Sequence, residues 1–400
     1  MEKQTSDKLM LSALGLFAFS VIFSVTVVQG ALLIALALLL VKNYQEHSLP
    51  FLKTALTGHP LFIPWLVTLG VCLLTALTEY YPLKGLSQLN SDFFKFVCLF
   101  TLLFTVKKEH LPKLSFLYTI GAVTAALIGL GEVTSLLPSD NPDKTRADAF
   151  MNAVRYGEVM GIAALFALSR TMLPFKASTR REQSFYYIST AIIFTALLAS
   201  KTRGAYLGTF TGTLIMFFLI RASWKRLLAA FITLLIAAAF TAYVTPDFYG
   251  RLPGMVKTTG EILSSAPSSN VRPRMWRVGL KMLADHPLLG VGPDNTRAVF
   301  AQYCPELIMG KTWGALHNLY IHQAAGRGLL GLGALLFLFG AMFNFARKNF
   351  KTVRSPYTLW ALCVLPAFYV MNITEISFQH VHTSFAIFLA LAFSAAGRAE

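Results

Sequence analysis

Residues 9–41 read LMLSALGLFAFSVIFSVTVVQGALLIALALLLV, 33 positions without a charged side chain. A hydrocarbon core about 30 Å thick is crossed by about 20 helical residues. The stretch is too long for a signal-peptide core and has no clear small-residue cleavage site. It reads as two short helices joined near Gln29 and Gly30.

Runs of the same kind recur to the far end of the chain. They fall near 61–77, 93–106, 114–130, 151–168, 185–199, 205–220, 227–244, 326–345, 359–371 and 383–396. Of the 400 residues, 55% are hydrophobic and 14% are charged, far less charge than a soluble domain carries. The expectation is an all-α polytopic membrane protein of about twelve transmembrane helices. It divides into nine spans over 1–244, one large loop over 245–325 and three spans over 326–400.

Short loops set the orientation through their lysines and arginines. With the N-terminus in the cytoplasm, the segments 42–60, 107–113, 169–184, 221–226 and 347–354 face inward, as do both termini. Together they hold more than half of the 35 basic residues. Three outer places break the pattern. SKTRG puts Lys201 and Arg203 in a tight turn, and residues 131–150 set Lys144 and Arg146 among acids. The large loop carries Arg251, Lys257, Arg272, Arg274, Arg277, Lys281, Arg297 and Lys311. Long loops escape the positive-inside rule, so this charge is free to reflect function. A cationic outer cap suits an anionic ligand at the membrane surface. The formal charge of +16 does not point to nucleic acid, since no readout motif accompanies it.

Within the loop, RMWRVGLKMLAD (274–285) has helical period. Trp276, Leu280, Leu283 and Ala284 share one side, and Arg274, Arg277 and Lys281 another. Such a helix is expected on the membrane surface with its tryptophan at headgroup depth. Arg272 precedes Pro273 at the helix entry, where its side chain can turn back toward the bundle. GVGPDN (290–295) lacks the lysine and the strand–loop–helix context of a phosphate loop and reads as a turn.

WGALHNLYIHQAAGRGLLGLGALLF (313–337) sets a histidine, an asparagine and an arginine at the mouth of an apolar run. His317 and His322 are five apart and diverge by about 140° on a helix, with no third ligand nearby, so no metal site is read. An interfacial histidine, a transporter's proton relay and a general base all remain open for His317. Arg155 and Glu158 are spaced to pair on one helix. Lys95 is expected to snorkel, and Gly326, Gly328, Gly331 and Gly333 to let helices approach closely. Cys72, Cys98 and Cys363 lie in apolar runs and Cys304 in a polar segment, a set that gives no disulfide framework or zinc site.

KTRGAYLG (201–208), NVRPRMW (270–276), HPLLGVGPDN (286–295) and ALHNLYIHQAAGRGLLGL (315–332) occur in that order, all expected on the outer side. Together they resemble the O-antigen ligase family, whose superfamily includes O-antigen polymerases and protein O-oligosaccharyltransferases. The resemblance implies a GT-C-like glycosyltransferase of the bacterial inner membrane with its active site facing the periplasm. The donor is an undecaprenyl-diphosphate-linked O-antigen, and the acceptor is a lipid A–core sugar in the outer leaflet. No metal or other cofactor is implied. Matched one at a time, His317 becomes the catalytic base, and Arg203 and Arg272 the diphosphate-binding arginines, with Arg274 a neighbour that could share the role of Arg272. One departure stands out: an acidic residue often found after the histidine is Gly326 here, beside Arg327. Glu375, in NITEISFQHVH (372–382), is a candidate substitute for orienting the imidazole, a role that sequence leaves open. A polymerase or protein glycosyltransferase would use the same donor chemistry, and a transporter of lipid-linked glycans would need charge along both leaflets.

Overall fold

The computed structural model describes residues 3–78, 81–139, 146–175, 178–220, 228, 232 and 271–398. The span expected at 227–244, and Arg251 and Lys257, fall almost wholly outside those residues. Among the described residues the secondary structure is helical, apart from an isolated bridge between Ile308 and Lys311.

The N-terminal half holds α1 (Lys3–Ser20), α2 (Val25–Gln45), α3 (Leu49–Thr57), α4 (Phe62–Thr78), α5 (Pro82–Thr105), α6 (Leu111–Val133), α7 (Ala153–Met172), α8 (Arg180–Ala199) and α9 (Arg203–Ile220). Beyond them come α10 (Val271–Asp285), α11 (Thr296–Tyr303), α12 (Leu319–Thr352), α13 (Pro356–Met371) and α14 (Val381–Ala396). Among the described residues four helices are long and apolar enough to cross a membrane: α2, α6 with its preceding turn, α9 and α12. A fifth candidate is the pair α3–α4, bent by 79° at its break, and α13 and α14 are shorter apolar helices.

The first apolar stretch breaks four residues or more before the expected joint. Ser24 caps α2 by accepting from the Val27 N–H at 3.3 Å, and Gly30 lies inside the helix, with open space where a Cβ would sit. A serine able to satisfy an orphan amide ends a helix more decisively than a glycine that nothing crowds.

Helices that are apolar on every face must be covered on every face. From Tyr156 onward α7 is buried throughout, as are nearly all of α13 and α14. These three form the centre, packed against α5, α8, α9 and α12. Ser355 and Thr358 form a capping box at the start of α13, with Pro356 at its first position. The Trp360 N–H on α13 donates to Ile162 O on α7 at 3.1 Å.

Residues 271–325 build a second hydrophobic core from Met275, Val278, Met282, Val291, Val299, Phe300, Ile308, Leu316 and Ala325. Residues 271–325 of the large loop thus form a small folded cap, and α10 packs into it by a face other than the stripe expected at the membrane surface. Its inner face is Met275, Val278, Gly279 and Met282, while Leu280 and Ala284 are exposed. Gly279 explains the choice, because a Cβ there would fall 2.6 Å from both Ile321 and Leu316. The bare backbone lets α10 lie directly on the start of α12.

Inside α12 the helix is interrupted at Gly328, with φ 63° and ψ −165°. The amides freed by the break are caught by the cap: Leu329 N–H donates to Pro287 O at 2.8 Å and Leu330 N–H to Leu288 O at 3.3 Å. On the other side, Val291 N–H donates to Ala325 O at 2.8 Å. A Cβ on Gly328 would meet the Leu288 carbonyl oxygen at 2.2 Å. Of the four expected close-approach glycines, Gly326 and Gly328 both lie against the cap's backbone, Gly328 the more tightly, whereas Gly333 faces open space.

Lys95 does not snorkel. It is buried on α5, with Nζ 3.2 Å from Asp92 Oδ1 and 3.0 Å from Ser91 Oγ. Asp92 Oδ2 also accepts from Arg327 Nη2 at 2.5 Å, and all three ionic side chains are buried. The unusual arginine after Gly326 is thereby compensated by an acid 235 positions away. The expected pairing of Arg155 with Glu158 is replaced by a 2.6 Å hydrogen bond from Ser377 Oγ to Glu158 Oε1. All four cysteines are free, and only Cys304 is partly exposed.

Candidate active site

α12 starts at an asparagine cap, Asn318 Oδ1 accepting from the Ile321 N–H at 3.0 Å. His317, immediately before it, has φ 49°, a left-handed turn that swings the chain into the helix. Leu319 N–H then donates to Asn372 O at 2.9 Å and Glu375 O at 3.0 Å. The start of α12 is therefore stitched to the segment that follows α13. Asn372 Oδ1 holds that segment by accepting from the Phe378 N–H at 3.0 Å.

This stitching sets His317 Nδ1 2.6 Å from Glu375 Oε1. Arg272 Nη2, at the first turn of α10, donates to the same oxygen at 3.0 Å. Trp276, one turn along α10, donates its N–H to His317 O at 3.3 Å. The Trp313 ring stands edge-on to the imidazole at 6.2 Å. Segments 103 positions apart in sequence thus meet on a single carboxylate oxygen.

Glu375 is 7% exposed, His317 28% and Arg272 39%. Burial alone would raise the Glu375 carboxyl, but the hydrogen bond from His317 and the nearby Arg272 charge outweigh it and hold it below its ordinary 4.5. An ionised carboxylate accepts only, so His317 Nδ1 carries the proton and Nε2 keeps its lone pair in the neutral ring. With the ring neutral, the exposed side of the pair presents a proton acceptor. Arg272 spends one N–H on Glu375, and its guanidinium has five, so donors remain for an anion.

That depressed carboxyl has a measurable consequence for stability. A group whose folded pKa is lowered stabilises fully above its unfolded value, and the contribution is lost as pH falls through the folded value. Melting temperatures of the wild type and Glu375→Gln in detergent should differ by a constant amount between about pH 6 and 8 and converge below about pH 4. A gap that persists unchanged at the acid end would exclude the ion network as its source.

Arg203 is the first residue of α9 and is exposed. Its neighbour Gly204 lies so close to Thr374 that a Cβ would fall 2.1 Å from Thr374 Oγ1. The glycine thus lets the start of α9 abut the residue before Glu375, which brings Arg203 to the same end of the bundle. Arg274 does not join this group: its Nη2 donates to Glu306 O at 3.3 Å. Two residues adjacent but one on a helix differ by about 200°, so Arg272 and Arg274 cannot face one centre.

Two further side chains stand beside the cluster. Ser377 ties the Glu375 segment to Glu158 on α7. The His380 imidazole is pushed down to about 3 by burial, then by the charge of exposed Arg155, so it stays neutral, and its Nδ1 is buried with no hydrogen-bond partner among the described residues. Neither His380 nor Ser377 carried any local signal in sequence, because the groups that act on them, Arg155 and Glu158, lie on α7.

Residues 188–336 match a family model described as O-antigen ligase. Those bounds include Arg203, Arg272 and His317 and stop short of Glu375. The chain is also 23% identical over 208 residues to an uncharacterized protein of Haemophilus influenzae, covering 50% of this chain and 52% of that one. The chain therefore spans about half the length of the curated relative it matches.

Proposed function

We propose, from the match of residues 188–336 to the O-antigen ligase family model, that this protein transfers a glycan from an undecaprenyl-diphosphate donor to a sugar of lipid A–core. The reading takes the chain as a twelve-span, GT-C-like enzyme of the bacterial inner membrane, with the large loop over 245–325 on the periplasmic face. Its main support is one observation: Glu375 Oε1 receives both His317 Nδ1 and Arg272 Nη2.

The chemistry follows from that arrangement. The acceptor hydroxyl oxygen attacks the anomeric carbon while its proton passes to His317 Nε2. The bond from the anomeric carbon to the phosphate oxygen breaks, and its electron pair leaves on the lipid diphosphate. Direct displacement inverts the anomeric centre. Glu375 fixes the imidazole tautomer and balances the imidazolium that forms. Arg272 and Arg203 face the growing charge on the diphosphate, a task suited to permanently protonated planar forks. Fixed cations of this kind do the work that a divalent metal does elsewhere.

Purified protein, a defined lipid-linked O-antigen and lipid A–core provide the test. Transfer that survives EDTA and gives the inverted linkage is expected. Abolition by EDTA would refute the arginine-based account. In cells, deletion should leave core without O-antigen on a lipopolysaccharide gel; core bearing a single repeat would identify a polymerase instead.

A further inference from the structure

α12 and α14 both begin at the His317–Glu375 end and run to the opposite end of the bundle. There, between the break that joins α3 to α4 and the last turns of α12 and α14, lies a cavity of about 630 Å³. Its polar lining comes from His59, Asn344, Lys348, Asn349 and Arg398, and no carboxylate is among the lining residues.

The lining is organised from buried groups outward. Asn349 is fully buried; its Nδ2 donates to Ser394 Oγ at 3.2 Å and its Oδ1 accepts from Arg398 Nη1 at 3.3 Å. The arginine is thereby anchored at the rim while its other N–H groups remain. His59 Nδ1 accepts from the Leu61 N–H at 3.2 Å, so in the neutral ring Nε2 carries the proton. Burial pushes His59 down to about 4, which keeps it in that neutral form. The cavity therefore offers two full cations, Lys348 and Arg398, and one neutral imidazole donor. Its remaining wall is apolar, made by Pro60, Phe345, Ala341 and Ala395, with His59 packed 5.2 Å from the Phe345 ring.

We propose that this cavity binds the phosphate headgroup of an anionic bilayer lipid. Two cations and an imidazole N–H, with both asparagine oxygens already accepting from arginines and no carboxylate in the lining, select an anion. A cavity of this size is typical for a small-molecule group, commonly about 300–1,000 Å³. The apolar wall belongs to an apolar span candidate, α12, and to a shorter apolar helix, α14, which favours an amphiphile over a free phosphate. In the orientation predicted from the basic loops, this end lies at the cytoplasmic leaflet, where anionic lipids attract lysine and arginine. The site is separate from the His317 cluster and does not depend on the transfer reaction proposed for it.

Native mass spectrometry of the detergent-purified full chain tests this. Phosphatidylglycerol and phosphatidylcholine of equal chain length are compared, with inorganic phosphate as a competitor. The wild type should retain one phosphatidylglycerol in preference to phosphatidylcholine, whose ammonium would sit beside Lys348 and Arg398. Retention should fall on the order of tenfold in Lys348→Gln/Arg398→Gln, and Lys348→Arg should keep it. Equal retention of the two lipids by the wild type overturns the proposal even if the double variant fails to fold. Unchanged retention by a folded double variant does so too. Full displacement by inorganic phosphate would reassign the cavity to a soluble anion.

Discussion

His317→Ala should lower glycosyl transfer by about 10²–10⁴-fold, the usual worth of a general base, while leaving donor binding intact. Binding and transfer separate because the donor's charge meets Arg272 and Arg203, whereas the imidazole meets the acceptor hydroxyl. Single-turnover transfer and donor retention, measured on the same preparation, distinguish the two. The Glu375 contact sharpens the expectation: loss of the imidazole removes the Nδ1 donor, but Arg272 still neutralises the carboxylate, so the fold should survive. Normal turnover by His317→Ala would remove this residue as the base. Loss of donor binding equal to the loss of transfer would mean that the histidine shapes the donor pocket instead.

The second large effect concerns stability. Asp92→Asn should cost on the order of 3–5 kcal/mol, the range for breaking a buried ion pair from one side. Asp92 is a lone buried carboxylate between two buried cations, Lys95 and Arg327. Its removal leaves two like charges with nothing between them. Arg327→Met, in contrast, leaves Asp92 and Lys95 as a neutral pair and fills similar volume, so it should cost much less. Thermal unfolding in detergent gives the order of the two variants. Equal losses, or a worse Arg327→Met, would show that the arginine acts through contacts other than Asp92.

Much of the fold was legible because its signals are local. Apolar run length marked the helices, and the GVGPDN turn and the helix at 274–285 both appear where the pattern set them. The face that α10 buries was not legible. The pattern marked only a stripe for the membrane surface and a basic one, and the buried face was set by close contact at Gly279 with residues of the 316–321 segment. The break before α2 was misplaced for a related reason: a capping serine and an apolar run look alike in hydropathy.

The site divides along the same line. His317 stood out beside an apolar run, and Arg272 and Arg203 came from short motifs. Glu375 was no more than a substitute for a missing acid, since nothing local ties position 375 to 317. The backbone bonds from Leu319 to the 372–375 segment create that link. Lys95 failed as a snorkelling residue for the same cause, because its neutralising cluster closes through Arg327 on another helix. Long-range charge pairing leaves no mark in sequence spacing.

Unbroken, the 34 residues of α12 would make a rod of about 51 Å, well beyond a bilayer's oily layer. The interruption at Gly328 leaves 24 residues after it, or about 36 Å of helix, and hands the first turns to the cap. Thickening or thinning of the lipid can then be absorbed by tilt of the longer segment. The imidazole sits on the far side of that joint, fastened to the cap and to the 372–375 turn, so its aim is uncoupled from how the span leans.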